Sequence, residues 1–206
     1  MGNRAGRWLL AAAAVTVLVG GAVTGVVASW GGGDLSSYRG SSPPAGIMLG
    51  DFDLRDYTGV RISRDQLDGK VVLLTFLESK CEQACPIIAA QLARGLERLT
   101  PEERKNVVAI AISTHPVDDT PASVRAFLRA HRAEGELRYL IGSEQELRPV
   151  WKRFGVFSAL DSGDADTHSA SVHVYDPRGE WVSSLHPGID LTPESLVHDA
   201  RAALEG

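Results

Sequence analysis

From Ile47 onward, short apolar runs alternate with longer stretches of helical periodicity, the pattern of an α/β domain built around one sheet. Residues 51–56 alternate apolar and polar like a half-exposed strand, and Thr58-Gly59 turns the chain into a second short strand over 60–62. Val71–Leu77 is apolar throughout, which suits a central strand buried on both faces, and Val107–Ser113 suits its parallel neighbour. Between them Ile88, Leu92, Leu96 and Leu99 recur at helical spacing, predicting a crossover helix over 85–99. Thr120-Pro121 supplies an N-cap and a first turn for a helix to about residue 132. Leu137–Ile141 reads as a further strand, and Ser143 with Glu146 forms a capping box opening a helix to about residue 154. A polar stretch over 158–167 precedes a hairpin, with strands near 169–175 and 180–185 flanking Asp176-Pro177-Arg178-Gly179. Thr192-Pro193 opens a terminal helix. The expected fold is a central mixed sheet with helices on both faces.

The chain before residue 47 has another character. Arg4 and Arg7 precede an almost uncharged run over 8–30, and about 23 residues at ~1.5 Å each span a ~30 Å hydrocarbon core. Basic residues before the run and none directly after it favour a cytoplasmic N-terminus with the rest of the chain outside. Residues 1–30 are therefore expected to be a single-pass membrane anchor, placing the domain on the extracytoplasmic side of the cell membrane. Val26 and Ala28 would serve a cleaved signal peptide, the competing reading, but the run is long for one. Either way the domain is exported, and no cysteine lies there to carry a lipid. Residues 31–46, rich in Gly, Ser and Pro, read as a flexible tether. The 206 residues leave room for one domain, 47–206. A formal net charge of −5 offers no basic face for nucleic acid, and no Gly-rich loop joins a strand to a helix in the form that cradles phosphate.

The chain has two cysteines, Cys81 and Cys85, directly after the strand Val71–Leu77 and at the mouth of the crossover helix. The carboxyl end of a core strand is where α/β sheets place their sites, and the polar neighbours Lys80, Glu82 and Gln83 argue against a plain core pair. Four residues apart on a helix, the two would lie near the long end of the disulfide range, so a disulfide is allowed but not favoured. Two thiolates on one helical face instead converge on a soft metal and need a third ligand. The helix N-terminus lowers thiol pKa, which assists both metal binding and thiol exchange. Of six histidines, His131 and His198 fall on charged or terminal helical stretches, and His173 lies within a strand. His115 and His186, each followed by proline at a strand end, remain open as the third ligand. His168, between the polar loop and the hairpin, is best placed to reach back over the helix mouth.

With these features the chain resembles the Sco/SenC family of thioredoxin-like copper proteins that assist cytochrome c oxidase assembly. The resemblance covers residues from about 51 to 206. It rests on Cys81, Cys85 and Pro86 in a C-x-x-x-C-P arrangement, on Asp119-Thr120-Pro121 after the next strand, and on His168-Ser169 ahead of Tyr175-Asp176-Pro177-Arg178-Gly179. It implies a thioredoxin-like fold and a copper ion bound by Cys81, Cys85 and His168. It also implies a metallochaperone role in assembling the copper site of cytochrome c oxidase, with the copper-bearing oxidase subunit as partner. The alternative is an extracytoplasmic thiol-disulfide oxidoreductase using Cys81 and Cys85 as a redox pair to reduce a partner's cysteines. A peroxidase of related fold would need its own activated cysteine, and nothing here points to one. The chain departs from the family in having Glu82, Gln83 and Ala84 between the cysteines, Leu77-Glu78-Ser79-Lys80 before them, and Thr167 rather than aspartate before the histidine.

Overall fold

The computed structural model describes residues 38–156 and 170–206. Among them one seven-stranded mixed sheet runs in the order β2-β1-β5-β4-β3-β6-β7. Its strands are β1 (Asp53–Asp56), β2 (Arg61–Ser63), β3 (Val71–Leu77), β4 (Val107–Ser113), β5 (Leu137–Ile141), β6 (Val172–Tyr175) and β7 (Trp181–Leu185). The helices are α1 (Ala84–Leu96), α2 (Pro101–Asn106), α3 (Pro121–Ala130), α4 (Glu144–Phe154) and α5 (Pro193–Glu205). β3, β4 and β5 are parallel, whereas β1 and β6 flank them antiparallel. This is the expected α/β class.

Alternation along the central strands divides the interior. Val71, Leu73 and Leu77 of β3 join Ile88 and Leu92 of α1, Phe127 and Leu128 of α3, and Leu196 of α5 in one core. Val72, Leu74 and Phe76 face the other way, into a core closed by Leu147, Val150 and Trp151 of α4. Helices thus cover both faces, and each fully buried Leu or Ile contributes roughly 1.5–3 kcal/mol. The capping signals act as the sequence suggests: Thr120, Ser143 and Thr192 each accept a backbone N–H three residues on. α2, not expected, starts the same way, with Thr100 capped against Glu103 and Pro101 in the first turn.

Part of the segment assigned to the tether by composition is held to the domain. The Arg39 and Gly40 amides donate to the buried Asp199 carboxylate at 2.7 and 3.0 Å, and the Ser41 amide donates to the Ser184 carbonyl at 2.9 Å. Gly40 is required by that approach, because a Cβ there would sit 2.3 Å from Ser183 Oγ. The span expected over 8–30 lies outside the described residues. Among the described residues no helix is long and apolar enough to cross a membrane.

Candidate metal centre

β3 delivers the chain to the carboxyl edge of the sheet, and residues 78–83 form a loop before α1. Cys81 lies in this loop and Cys85 in the first turn of α1. The expectation that both cysteines share one helical face is therefore corrected. No apolar periodicity extends the helix back to Cys81, and the four-residue helical spacing does not govern the pair. Both thiols are free, Cys85 buried and Cys81 half-buried.

The helix start explains their chemistry. Pro86 fits the first turn, where a missing N–H costs nothing. Gln83, at the N-cap, makes no side-chain capping bond, so the first amides of α1 need another acceptor. That acceptor is the Cys81 sulfur. It receives a hydrogen bond from the Cys85 thiol and others from the Cys85, Gln83 and Ala84 amides, and the Cys85 contact contributes most in pushing the Cys81 thiol down to about 5. Cys85 is pushed up by donating that hydrogen bond and by burial. The shared hydrogen bond therefore makes Cys81 the more acidic thiol and leaves the proton with Cys85.

A buried carboxylate fixes the loop. Asp119, in the turn between β4 and α3, accepts the Ser79 amide at 2.7 Å, the Ser113 hydroxyl at 2.6 Å and the Tyr139 hydroxyl at 2.9 Å. Ser79 Oγ also lies 3.2 Å from Ser123 Oγ at the start of α3. The cysteine loop is thus anchored to β4, β5 and α3 together. Asp119 belongs to the motif that carries the resemblance, and its buried bracing role rests on partners from three separate segments.

Placement of the histidines separates the candidates. His115 follows β4 directly and stands beside Glu78, with its Nδ1 3.0 Å from Asp118 Oδ2. Burial pushes the Glu78 carboxyl up, opposed by His115. His186, more exposed, stands 3.7 Å from Asp190 Oδ1. His173 is half-buried on β6: its ring stacks on Trp181 at 4.2 Å, Nε2 lies 2.8 Å from Ser171 Oγ, and burial pushes it down to about 4. His131 packs edge-on against Phe127, and His198 meets Asp199 at 3.1 Å. His168 lies outside the described residues. β6, however, runs antiparallel to β3, with Leu74 opposite His173, so the chain enters β6 at the edge that carries the cysteines. Ala170, Cys81 and Ala84 pack against the same core.

The donor chemistry fits a soft metal: a thiolate and a second thiol in contact with it, free of any disulfide. A family model described as SCO1/SenC matches residues 41–205. An SCO2-like protein of Rickettsia conorii is 26% identical over 158 residues, 74% of this chain and 75% of that protein. The solution structure of apo Sco1 from Thermus thermophilus aligns with a TM-score of 0.65 and 26% identity over 82% of this chain and 99% of that one. The copper-bound structure of Bradyrhizobium japonicum ScoI aligns with a TM-score of 0.62 and 26% identity over 77% and 100%. BsSco, described as a member of the Sco family of cytochrome c oxidase assembly proteins, shares the fold with a TM-score of 0.66 at 22% identity over 80% and 98%.

Proposed function

The chain belongs to the SCO1/SenC family, and on that footing we propose that it is a copper-binding metallochaperone for the copper site of cytochrome c oxidase. Copper, its cargo, is held by Cys81, Cys85 and His168, and the copper-bearing oxidase subunit receives it. The N-terminal segment keeps the domain on the extracytoplasmic side of the cell membrane. The observation that carries the reading is the pair of free cysteines in mutual contact at the carboxyl edge of β3, in a chain similar to a ScoI solved with copper bound.

Each residue has a distinct part. Cys81, already a thiolate, offers the first sulfur without losing a proton. Cys85 surrenders its proton when it binds, so uptake releases protons and weakens as the pH falls. His168 supplies the nitrogen donor that Cu(II) prefers over a bare dithiolate. The loaded full chain, mixed with reduced apo copper-bearing subunit, is expected to transfer its copper. The second reading, dithiol exchange, is favoured by the same thiolate and thiol pair. Failure of transfer, together with reduction of an oxidised subunit by the copper-free chain, would establish that reading instead.

A further inference from the structure

We propose that Glu78, His115 and Asp118 form a second metal site, built from nitrogen and oxygen donors, that takes a borderline divalent ion such as Zn2+ beside the cysteine pair. β3 and β4 run in parallel register to their ends, Leu77 opposite Ser113, and the Thr114 amide donates to the Leu77 carbonyl at 3.0 Å. This pairing sets His115 next to Glu78. The chain then turns back, with the Asp118 and Asp119 amides donating to the His115 carbonyl at 3.2 and 3.0 Å, which returns the Asp118 carboxylate to the imidazole. One ligand atom from each of the three side chains lies within 4.8 Å of the others. A tetrahedral ion with bonds of ~2.1 Å holds its donors roughly 3.4 Å apart, a closure within reach of side-chain rotation.

Apart from the approach of His115 Nδ1 to Asp118 Oδ2, these donors are not otherwise used. His115 Nδ1 is shielded from solvent and makes no hydrogen bond, although Asp118 Oδ2 lies 3.0 Å away. The half-buried Glu78 has His115, Asp119, Cys81 and Asp118 as its charged surroundings, so two carboxylates converge with only an imidazole between them. A divalent cation supplies positive charge to the converging carboxylates and an acceptor for the Nδ1 lone pair. One imidazole with two carboxylates suits Zn2+ or Cu2+, whereas Cu(I) selects sulfur and Mg2+ or Ca2+ select all-oxygen sets. The site needs neither cysteine, so it stands or falls independently of copper binding by the dithiol.

The test is calorimetric titration with Zn2+ of the purified full chain after oxidation to the Cys81–Cys85 disulfide, which removes both sulfurs as thiolate ligands. The Cys81→Ser, Cys85→Ser chain repeats it without the disulfide, in case closure shifts Glu78. One Zn2+ per chain is expected in at least one of the two forms. His115→Ala and Glu78→Gln should each weaken it at least ~10-fold, and His168→Ala should leave it unchanged, with near-ultraviolet circular dichroism confirming folding. Absence of Zn2+ binding in both forms would overturn the proposal. So would equal affinity after His115→Ala and Glu78→Gln, or loss of binding with His168→Ala.

Discussion

Asp119→Ala should loosen the cysteine loop and destabilise the reduced, metal-free protein by about 3 kcal/mol. The carboxylate is 3% exposed and accepts from Ser79, Ser113 and Tyr139. Hydrogen bonds to a charged group are worth about 1.5–3 kcal/mol each, and an abandoned buried donor costs a further ~1–3 kcal/mol. The plain sum overshoots, because the serine hydroxyls can rotate towards other acceptors. The Tyr139 hydroxyl and the Ser79 amide have less freedom and set the lower end. For a chain of this size, about 2–4 °C per kcal/mol gives a drop in Tm of about 6–12 °C. Thermal and urea unfolding of Asp119→Ala against the parent measure it. Asp118→Asn is the neighbouring control: its side chain is 43% exposed and should shift stability by less than about 0.5 kcal/mol. An Asp119→Ala protein within 1 kcal/mol of the parent would refute the reasoning.

Cys81 should be alkylated by iodoacetamide well below neutrality, with an inflection near pH 5, while Cys85 stays unlabelled, as peptide mass spectrometry resolves. Equal labelling of both thiols would contradict the shared-proton arrangement. His173, pushed down to about 4 by burial, is neutral in the fold when an unfolded chain would protonate it near 6.5. The unfolded state then binds more protons between those values, so the contribution to stability is complete above pH 6.5 and is lost as the pH falls towards 4. At ~1.36 kcal/mol per pKa unit the loss approaches roughly 3 kcal/mol. Urea unfolding at pH 6.5 and 4.5 should show His173→Phe losing less than the parent, and equal losses would assign acid sensitivity elsewhere.

What the chain discloses by itself depends on whether the deciding contact is local. β3, β4 and β5 carry the bounds expected from their apolar runs, and α4 begins and ends where Ser143, Glu146 and Phe154 place it despite Pro149 inside. The six-residue α2 buries no side chain and so shows no apolar periodicity, although Thr100-Pro101 and Glu103 carry the same signal as the other caps. The site was legible as a constellation, since two cysteines at a strand end are a local pattern. The division of labour between them was not, because it follows from Cys81 lying outside α1 and capping its amides. Asp119 and the Glu78, His115 and Asp118 cluster were hidden for another reason. Each is assembled by parallel pairing of strands far apart in sequence, and no spacing along the chain encodes that approach.

The central claim is that copper sits on Cys81, Cys85 and His168, and Cu(II) titration of the reduced full chain tests it most directly. Thiolate-to-copper absorption should saturate at one equivalent in the parent and vanish in Cys81→Ser and in Cys85→Ser. His168→Ala should weaken Cu(II) binding by at least ~10-fold, retain Cu(I) on the two sulfurs, and still form the Cys81–Cys85 disulfide. A His168→Ala chain that binds Cu(II) like the parent, or a single-cysteine variant that keeps the absorption, would contradict the account.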